Sequence, residues 1–225
     1  MPDQPETTWH YGDPCVKCGA AQDDKLKRTK LVLNDVEYKT VVVDPPWQPT
    51  LGETWSSRMH DKAGPQRFYD TMPEAEIIAN RPTFASQAHL YIWCLTQHID
   101  LGYNVARAWG AEPITLFTWK KPGLGVGRFR CNTEHVLVAR VGSRIGNPFG
   151  QGGRHAQATM GTLFEWPRGA HSQKPAEFFS LVETLSPEPR LEMYARAPRQ
   201  GWATWGREAS GEQARPVPPP RSAQR

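Results

Sequence analysis

The sequence lacks any long apolar run, and no window of it approaches the roughly 20 apolar residues that a membrane-spanning helix needs. Its first residues, Met1 to Gln4, also lack the basic and apolar regions of a secretory signal peptide. From these absences we expect a soluble, cytoplasmic protein without a membrane partner.

Cysteine is scarce, with four residues in 225, and only Cys15 and Cys18 are close together. This usage is not that of a secreted disulfide framework, so we expect reduced thiols. Cys15 and Cys18 have the spacing of one zinc knuckle, and His10 is a third ligand candidate, but a structural zinc takes four ligands and no fourth is evident. We therefore expect an ordered turn and no metal, and we keep a zinc site as the alternative.

A large excess of one charge is also lacking, because the formal net charge is only +4. That is weak for a protein that coats nucleic acid, but it is compatible with a local basic patch. The length allows one α/β domain with short tails. We divide the chain into a polar extension with the CxxC motif (1–30), a main domain (31–208) and a disordered proline-rich tail (209–225).

The stretch around which the chain is organised is Val41-Val42-Val43-Asp44-Pro45-Pro46-Trp47. The three valines predict a strand buried on both faces, as at the centre of a parallel sheet. Proline cannot donate to a sheet ladder, so the strand ends there. Asp44 and Trp47 are therefore expected at the carboxyl end of a strand, where open α/β sheets bind ligands.

This tip suits methyl transfer to an amino nitrogen on a flat ring. Such an amine is a weak nucleophile because its lone pair is delocalised into the ring. The carboxylate of Asp44 and the carbonyl of Pro45 can accept its two hydrogens, and Trp47 offers a face on which the ring can stack. The alternative is that Trp47 only packs on the core.

Apolar periodicity and capping signals predict an alternation of further strands and helices. The predicted helices are 73–80, 100–109 and 174–185, and the predicted strands after the first are 89–96, 113–120, 134–141, 162–166 and 191–196. The pattern indicates an α/β fold.

Several motifs, in order along the chain, resemble those of one known family. They are Asp44-Pro45-Pro46-Trp47, Tyr69-Asp70-Thr71-Met72, Asn132-Thr133-Glu134-His135, Ser172-Gln173-Lys174-Pro175, Gly201-Trp202 and Trp205-Gly206. From about 38 to about 208 the chain resembles the adenine-N6 methyltransferases that include the eukaryotic mRNA adenosine methyltransferases and their bacterial and phage relatives. The resemblance implies a Rossmann-like methyltransferase fold, with a mostly parallel central sheet, helices on both faces and a permuted motif order.

The resemblance also implies S-adenosyl-L-methionine as cofactor. Lys174 stands at the start of the predicted helix 174–185, where positive potential favours a carboxylate, and in the family this lysine meets the carboxylate of the cofactor. The residues implied at the cofactor are Lys174, Arg196, Arg199, Trp202, Arg207 and Glu208. Arg207 departs from the family pattern, which has asparagine after Trp-Gly.

Long polar loops and basic, glycine-rich segments are the candidates for gripping a nucleic acid. The expected substrate residues are Trp55, Arg58, Lys120, Lys121, Arg128, Arg130, Asn132, Glu134 and His135. The last three are implied by the resemblance, and a hydrogen-bonded cluster at a strand end is their alternative.

The sequence thus predicts an enzyme that methylates the exocyclic amine of adenine in nucleic acid. We expect DNA rather than RNA, and a prokaryotic or phage origin, because the pattern resembles the short prokaryotic and phage members. The main alternative is a catalytically inactive, nucleic-acid-binding partner subunit of the same fold. A third alternative, a free nucleotide or a protein amine as target, is disfavoured by the basic, glycine-rich loops, and we keep a homodimer as one option for the assembly.

Overall fold

The structure, a computed structural model, describes residues 36–48, 71–123, 130–142, 160–169 and 173–206. The strands within these ranges are β1 (Tyr38–Val43), β2 (Phe84–Cys94), β3 (Ala111–Lys120), β4 (Thr133–Val141), β5 (Leu163–Phe164), β6 (Arg190–Met193) and β7 (Ala203–Trp205). The α-helices are α1 (Glu74–Ala79), α2 (Ile99–Ala108) and α3 (Ala176–Leu185), and a short 3-10 helix, Thr96–His98, precedes α2.

The described strands form one sheet in the order β5-β3-β4-β2-β1-β6-β7. Strand β4 is antiparallel to both of its neighbours, β2 and β3, whereas the other paired strands are parallel. Every described strand except β4 therefore points in one direction. The carboxyl ends of six strands and the amino end of β4 meet at one edge of the sheet, which we call the carboxyl edge.

Helices cover both faces of this sheet. Successive residues of a strand point to opposite faces, so neighbouring residues of β1 contact different helices. Val43 belongs to a buried cluster with Ile77 of α1 and Val105 of α2. Val42 belongs to a second buried cluster with Phe178 of α3. We call these sides the α1–α2 face and the α3 face. The predicted α/β class, the mostly parallel sheet and the helices on both faces are confirmed.

The early strand β1 and the late strand β6 lie side by side and parallel, with Val43 opposite Met193. The two segments to which the sequence assigned the reaction and the cofactor are thus neighbours in the sheet, although they are far apart along the chain.

The bounds of some elements differ from the predicted ones. Strand β2 begins at Phe84, five residues before the predicted start. The prediction missed these residues because the polar Ser86 and Gln87, which are exposed, interrupt the apolar pattern. Strand β6 ends at Met193 because Tyr194 has a φ of 61°, which leaves the extended region. Strand β7 was not predicted, since three residues between glycines give no periodicity.

Helix α2 lies unusually close to β2 at Gly102. A Cβ atom at this position would overlap the Sγ atom of Cys94, so the glycine permits the close approach of helix and strand. This contact helps to fix the start of α2 beneath the carboxyl edge.

Candidate active site

The backbone at the end of β1 is held by three hydrogen bonds. The Asp44 N–H donates to the Met193 carbonyl of β6 (3.4 Å), the Trp47 N–H donates to the Pro45 carbonyl (2.8 Å), and the Met72 N–H donates to the Pro46 carbonyl (2.7 Å). Asp44 is thereby fixed at the carboxyl edge, where the sequence predicted it. The Pro45 oxygen already accepts one hydrogen bond and keeps a second lone pair.

Trp47 does not stand out into solvent. Its side chain is 7% exposed, it belongs to the core of the α1–α2 face, and its Nε1–H donates to the Trp93 carbonyl (2.9 Å). This hydrogen bond ties the end of β1 to the end of β2. The geometry favours a role for Trp47 in positioning the tip, and stacking of the target base on its ring stays a prediction.

Lys174, two residues before α3, is the centre of the candidate site. Its Nζ lies 2.9 Å from Asp44 Oδ2 and 3.4 Å from Glu134 Oε2. The side chains of Lys174 and Glu134 are each 14% exposed, and that of Asp44 is 30% exposed. The structure therefore brings together an acid from β1, an acid from β4 and a lysine from the α3 segment.

Lys121 extends this cluster from the end of β3. Its Nζ lies 2.8 Å from Glu134 Oε1, so Glu134 accepts from two lysines. Burial alone raises the pKa of Glu134, but Lys174 and Lys121 together outweigh burial and hold it below its usual range. Glu134 is therefore ionised at neutral pH.

The charges of Lys174 and Asp44 respond differently to burial. Burial disfavours the lysine cation, but Asp44 and Glu134 overcome this effect and raise the pKa of Lys174, so it stays protonated. Burial raises the pKa of the Asp44 carboxyl, with Lys174 opposing the shift. Asp44 is thus the carboxyl group of the cluster whose pKa lies above its usual range, whereas that of Glu134 lies below.

Trp93 forms the floor of the cluster on the α3 face. Lys174 Nζ lies 5.1 Å from the centre of its ring, a distance at which an ammonium is attracted to the π face. Lys121 Nζ lies 5.8 Å from the ring of Trp119 in the same way. Trp93 was not among the predicted site residues, because its position beside Asp44 follows from the pairing of Val43 with Ile92, which the sequence does not show.

His135 points to the other side of the sheet from Glu134, its neighbour in β4. Its ring nitrogens lie 3.1 Å from Thr118 Oγ1 and 3.3 Å from Thr96 Oγ1, and Thr96 also contacts Cys131 Sγ at 3.2 Å. These contacts form a hydrogen-bonded cluster at a strand end. That arrangement matches the alternative for His135, and its contact with substrate stays a prediction.

The end of β6 carries the groups expected at the cofactor. Glu192 Oε2 accepts from Arg199 Nε (3.0 Å), and Arg196 is exposed close to Asp44. Trp202 is 1% exposed, and its Nε1–H donates to Glu183 of α3 (2.7 Å). The geometry favours packing for Trp202 and leaves its contact with the cofactor a prediction.

The donor set at this edge fits S-adenosyl-L-methionine. An ammonium has three donor hydrogens, and two of those of Lys174 face Asp44 and Glu134, so one remains for a carboxylate. Glu192 lies on β6, the strand next to β1, and its carboxylate offers an acceptor for hydroxyl or amino groups.

The remaining basic residues differ in how they are paired. Lys120 Nζ lies 2.8 Å from Glu165, and both side chains are well exposed. Arg130 is exposed at the end of the described part of its loop, and the Asn132 carbonyl accepts the Lys121 N–H (2.7 Å) across the base of the β3–β4 hairpin. Lys121 belongs to the buried cluster, whereas Lys120 and Arg130 face solvent.

Several predicted residues lie outside the described residues: Cys15, Cys18, His10, Trp55, Arg58, Arg128, Arg207 and Glu208. The polar extension and the proline-rich tail lie there as well. Within the described ranges, no group of three or more His, Cys, Asp or Glu is arranged to hold a metal ion. None of the helices in those ranges is long and apolar enough to cross a membrane.

Known proteins resemble this chain over half of its length or more. The type II methyltransferase M.MunI of a Mycoplasma species is 30% identical over 127 residues, which cover 55% of this chain and 52% of that protein. The human N(6)-adenosine-methyltransferase catalytic subunit METTL3 is 25% identical over 215 residues (86% and 33%). An N(6)-adenosine-methyltransferase MT-A70-like protein of Drosophila melanogaster is 24% identical over 191 residues (78% and 27%).

The chain thus spans about a quarter to a half of the length of these relatives. The model of the MT-A70 family matches residues 38–208, which include Asp44, Glu134 and Lys174. The resemblance read from the sequence motifs is confirmed, and the chain belongs to the MT-A70 family.

Proposed function

We propose that this protein transfers a methyl group from S-adenosyl-L-methionine to the exocyclic nitrogen of adenine, and that the adenine belongs to DNA. The observation that carries the proposal is the ion pair of Asp44 with Lys174, 2.9 Å apart at the carboxyl edge and backed by Glu134. The names of the relatives support a methyltransferase, and those of METTL3 and the Drosophila protein specify N(6)-adenosine.

Asp44 and Pro45 act on the target amine. The contact with Lys174 uses Oδ2 of Asp44, so Oδ1 is the oxygen that accepts one amine hydrogen. The second lone pair of the Pro45 carbonyl accepts the other. These two bonds draw the nitrogen lone pair out of conjugation, and they are strongest when positive charge develops on that nitrogen.

Asp44 also takes the proton that the amine loses after methylation. A base works best when its pKa approaches the working pH, and burial raises the pKa of Asp44 in that direction. Lys174 and Glu134 keep their charges meanwhile, because their mutual contacts hold the one protonated and the other ionised.

When bound, the cofactor would supply an electrophilic methyl group. Lys174 would hold its carboxylate with the third donor hydrogen, and Glu192 at the end of β6 would accept from its hydroxyl or amino groups. Arg196 and Arg199, with Arg207 and Glu208 beyond the described part of the chain, complete the proposed cofactor residues.

The choice of DNA rests on the sequence pattern, which resembles the short prokaryotic and phage members. The exposed cations Lys120 and Arg130, together with Arg128, are proposed to meet phosphates, each contact releasing a counterion. An inactive partner subunit is the less suitable function for this site, because Asp44, Lys174 and Glu134 form an intact set.

The test is methyl transfer by the purified chain to DNA and RNA oligonucleotides of the same adenine-containing sequence, with isotope-labelled cofactor and mass spectrometry of the digested nucleosides. We expect N6-methylated deoxyadenosine from the DNA at a higher rate than N6-methylated adenosine from the RNA. A higher rate on RNA would contradict the choice of polymer. No methylated adenine from either polymer would contradict the proposed activity.

A further inference from the structure

Two aromatic rings beside the active site play no part in the chemistry proposed above. The rings of Phe164 and Trp166 are stacked with their centres 4.4 Å apart and an interplanar angle of 17°. Both side chains are partly exposed, and both pack against the core of the α3 face. We call this pair the β5 shelf.

The shelf packs against α3 and is hydrogen-bonded to β3. Phe178 of α3 approaches the ring of Trp166 edge-on at 6.2 Å. The Nε1–H of Trp119 donates to the Trp166 carbonyl at 2.9 Å, which fixes the backbone immediately after β5. A partly exposed indole on a fixed backbone offers stacking surface at little cost in conformational entropy.

The shelf lies on the same edge and face as the active site, but at a distance from the target amine. Trp166 follows the carboxyl end of β5, and Asp44 follows that of β1, four strands away in the sheet. With strands about 4.8 Å apart, this separation is about 19 Å. A base on the shelf is therefore a neighbour of the target and not the target itself.

The charges around the shelf suit a nucleic acid chain. Arg168, two residues after Trp166, is exposed and makes no ion pair with any residue in the described ranges. Lys121 stands between the shelf and Asp44, above the ring of Trp119. Lys121 is paired with Glu134, so Arg168 is the cation that is open to a phosphate here. Aromatic surface beside such a cation is the combination that binds single-stranded nucleic acid, with bases on the rings and phosphates on the cation.

We propose that the β5 shelf stacks an unpaired base that flanks the target adenine, with Arg168 meeting the adjoining phosphate. This inference rests on the proposed function and names the form of its substrate: a strand that is unpaired beyond the target base. Trp166 is then a residue that determines substrate affinity and takes no part in methyl transfer.

The test uses the oligonucleotide that is methylated in the experiment above, with fluorescent 2-aminopurine placed one, two or three nucleotides from the target adenine on the 5′ or the 3′ side, one position at a time. Stacking quenches this base. We expect quenching on wild-type protein at one of these positions, little change in Trp166→Phe, and loss of quenching in Trp166→Leu, which keeps apolar bulk and removes the stacking ring.

The kinetic readout separates binding from packing. In Trp166→Leu we expect the KM for the oligonucleotide to rise about 5- to 100-fold, as loss of one base–aromatic stack does. We expect kcat at saturating oligonucleotide and the Kd of the cofactor to stay within about twofold. Tyr103→Leu is the matched control: Tyr103 is a partly exposed ring beside Arg107 on the opposite face. Its loss should leave KM unchanged.

The outcomes distinguish this inference from the proposed function. If Trp166→Leu methylates with the wild-type KM and quenching, the shelf is only packing and the inference fails alone. If Trp166→Leu changes the cofactor Kd and kcat as strongly as the KM for the oligonucleotide, its effect is a general one on the fold. The inference fails in that case as well. If wild-type protein methylates no adenine in DNA or RNA, the proposed function fails and the inference fails with it.

Discussion

Lys174 Nζ lies 2.9 Å from Asp44 Oδ2, although the sequence assigned the aspartate to the target amine and the lysine to the cofactor. The two roles therefore meet in one partly buried ion pair. Glu134, on the other side of Lys174, keeps the lysine charged when Asp44 changes its own charge. In the proposed mechanism, a single ammonium group therefore connects binding of the cofactor with polarisation of the target.

Asp44→Asn should lower kcat about a hundredfold or more, because an amide cannot supply the charge that stabilises the developing cation or accept the proton. The cofactor Kd should change only a few-fold, since Lys174 keeps Glu134 as a partner. Rate measurements and calorimetry check these values. The control is Glu112→Gln, which removes an exposed acid paired with Arg140 at the far end of β3. Wild-type turnover in Asp44→Asn would remove Asp44 from the mechanism.

Lys174→Met should weaken cofactor binding about ten- to a hundredfold, the value of one charge-assisted contact. It should also lower the free energy of unfolding by about 3 kcal/mol, because Asp44 and Glu134 are left close together without their shared cation. Adding Glu134→Gln should recover part of the stability and none of the cofactor affinity. Urea unfolding and calorimetry measure both quantities.

The matched control for Lys174 is Lys120→Met, since Lys120 also pairs with a glutamate at 2.8 Å but is 49% exposed. An exposed pair contributes at most about 1 kcal/mol, so this variant should keep nearly all of its stability and cofactor affinity. Equal effects of the two substitutions would show that burial of the cluster does not decide its energetics.

Gly102→Ala should destabilise the fold by about 1–2 kcal/mol, although alanine is the better helix former by about 1 kcal/mol. The reason is that the new Cβ overlaps Cys94 Sγ, which is buried against α2. In a Cys94→Ala background the same substitution should be neutral or stabilising. A double-mutant cycle by urea unfolding measures this coupling, and purely additive effects would contradict the close approach of α2 and β2.

His89 should make stability depend on pH below neutrality. It is 3% exposed, its Nδ1 lies 2.7 Å from Ser186 Oγ, and burial lowers its pKa to about 4. The unfolded chain binds this proton at about pH 6.5. The stability is therefore complete above about pH 6.5 and is lost as the pH falls toward 4, with a ceiling of about 3 kcal/mol.

The measurement for His89 is the free energy of unfolding at several pH values between 7 and 4.5, in wild-type protein and in His89→Gln. The loss of stability across this range should be smaller in the variant, since glutamine does not titrate. Parallel curves for the two proteins would assign the pH dependence to other groups.

The position of the reactive tip could be predicted because its signals are local. Val41 to Val43 form a strand wherever a sheet can bury them, and two prolines end it in any context. The starts of helices α1 and α3 follow from local signals in the same way. These features placed Asp44 and Lys174 at the correct edge of the sheet.

The pairing within the site could not be predicted, because it depends on strand order. Lys120 and Lys121 are adjacent in the sequence and have the same side chain. Lys120 nevertheless pairs with Glu165, whereas Lys121 pairs with Glu134. The burial of Trp47 depends on the Trp93 carbonyl, which a different strand supplies. Periodicity gives the direction of a side chain but not the neighbour that it meets.

The reversal of β4 places the connection between β3 and β4 at the carboxyl edge of the sheet. Because β4 runs against its neighbours, the connection from Lys120 to Thr133 leaves and re-enters the sheet at the carboxyl edge, beside Glu134. A parallel β4 would begin at the opposite edge. β2 and β4 separate this connection from β1 and β6 in the order of the sheet, so replacing the residues between Lys121 and Thr133 is expected to change the surface beside Glu134 while the ends of β1 and β6 stay in place.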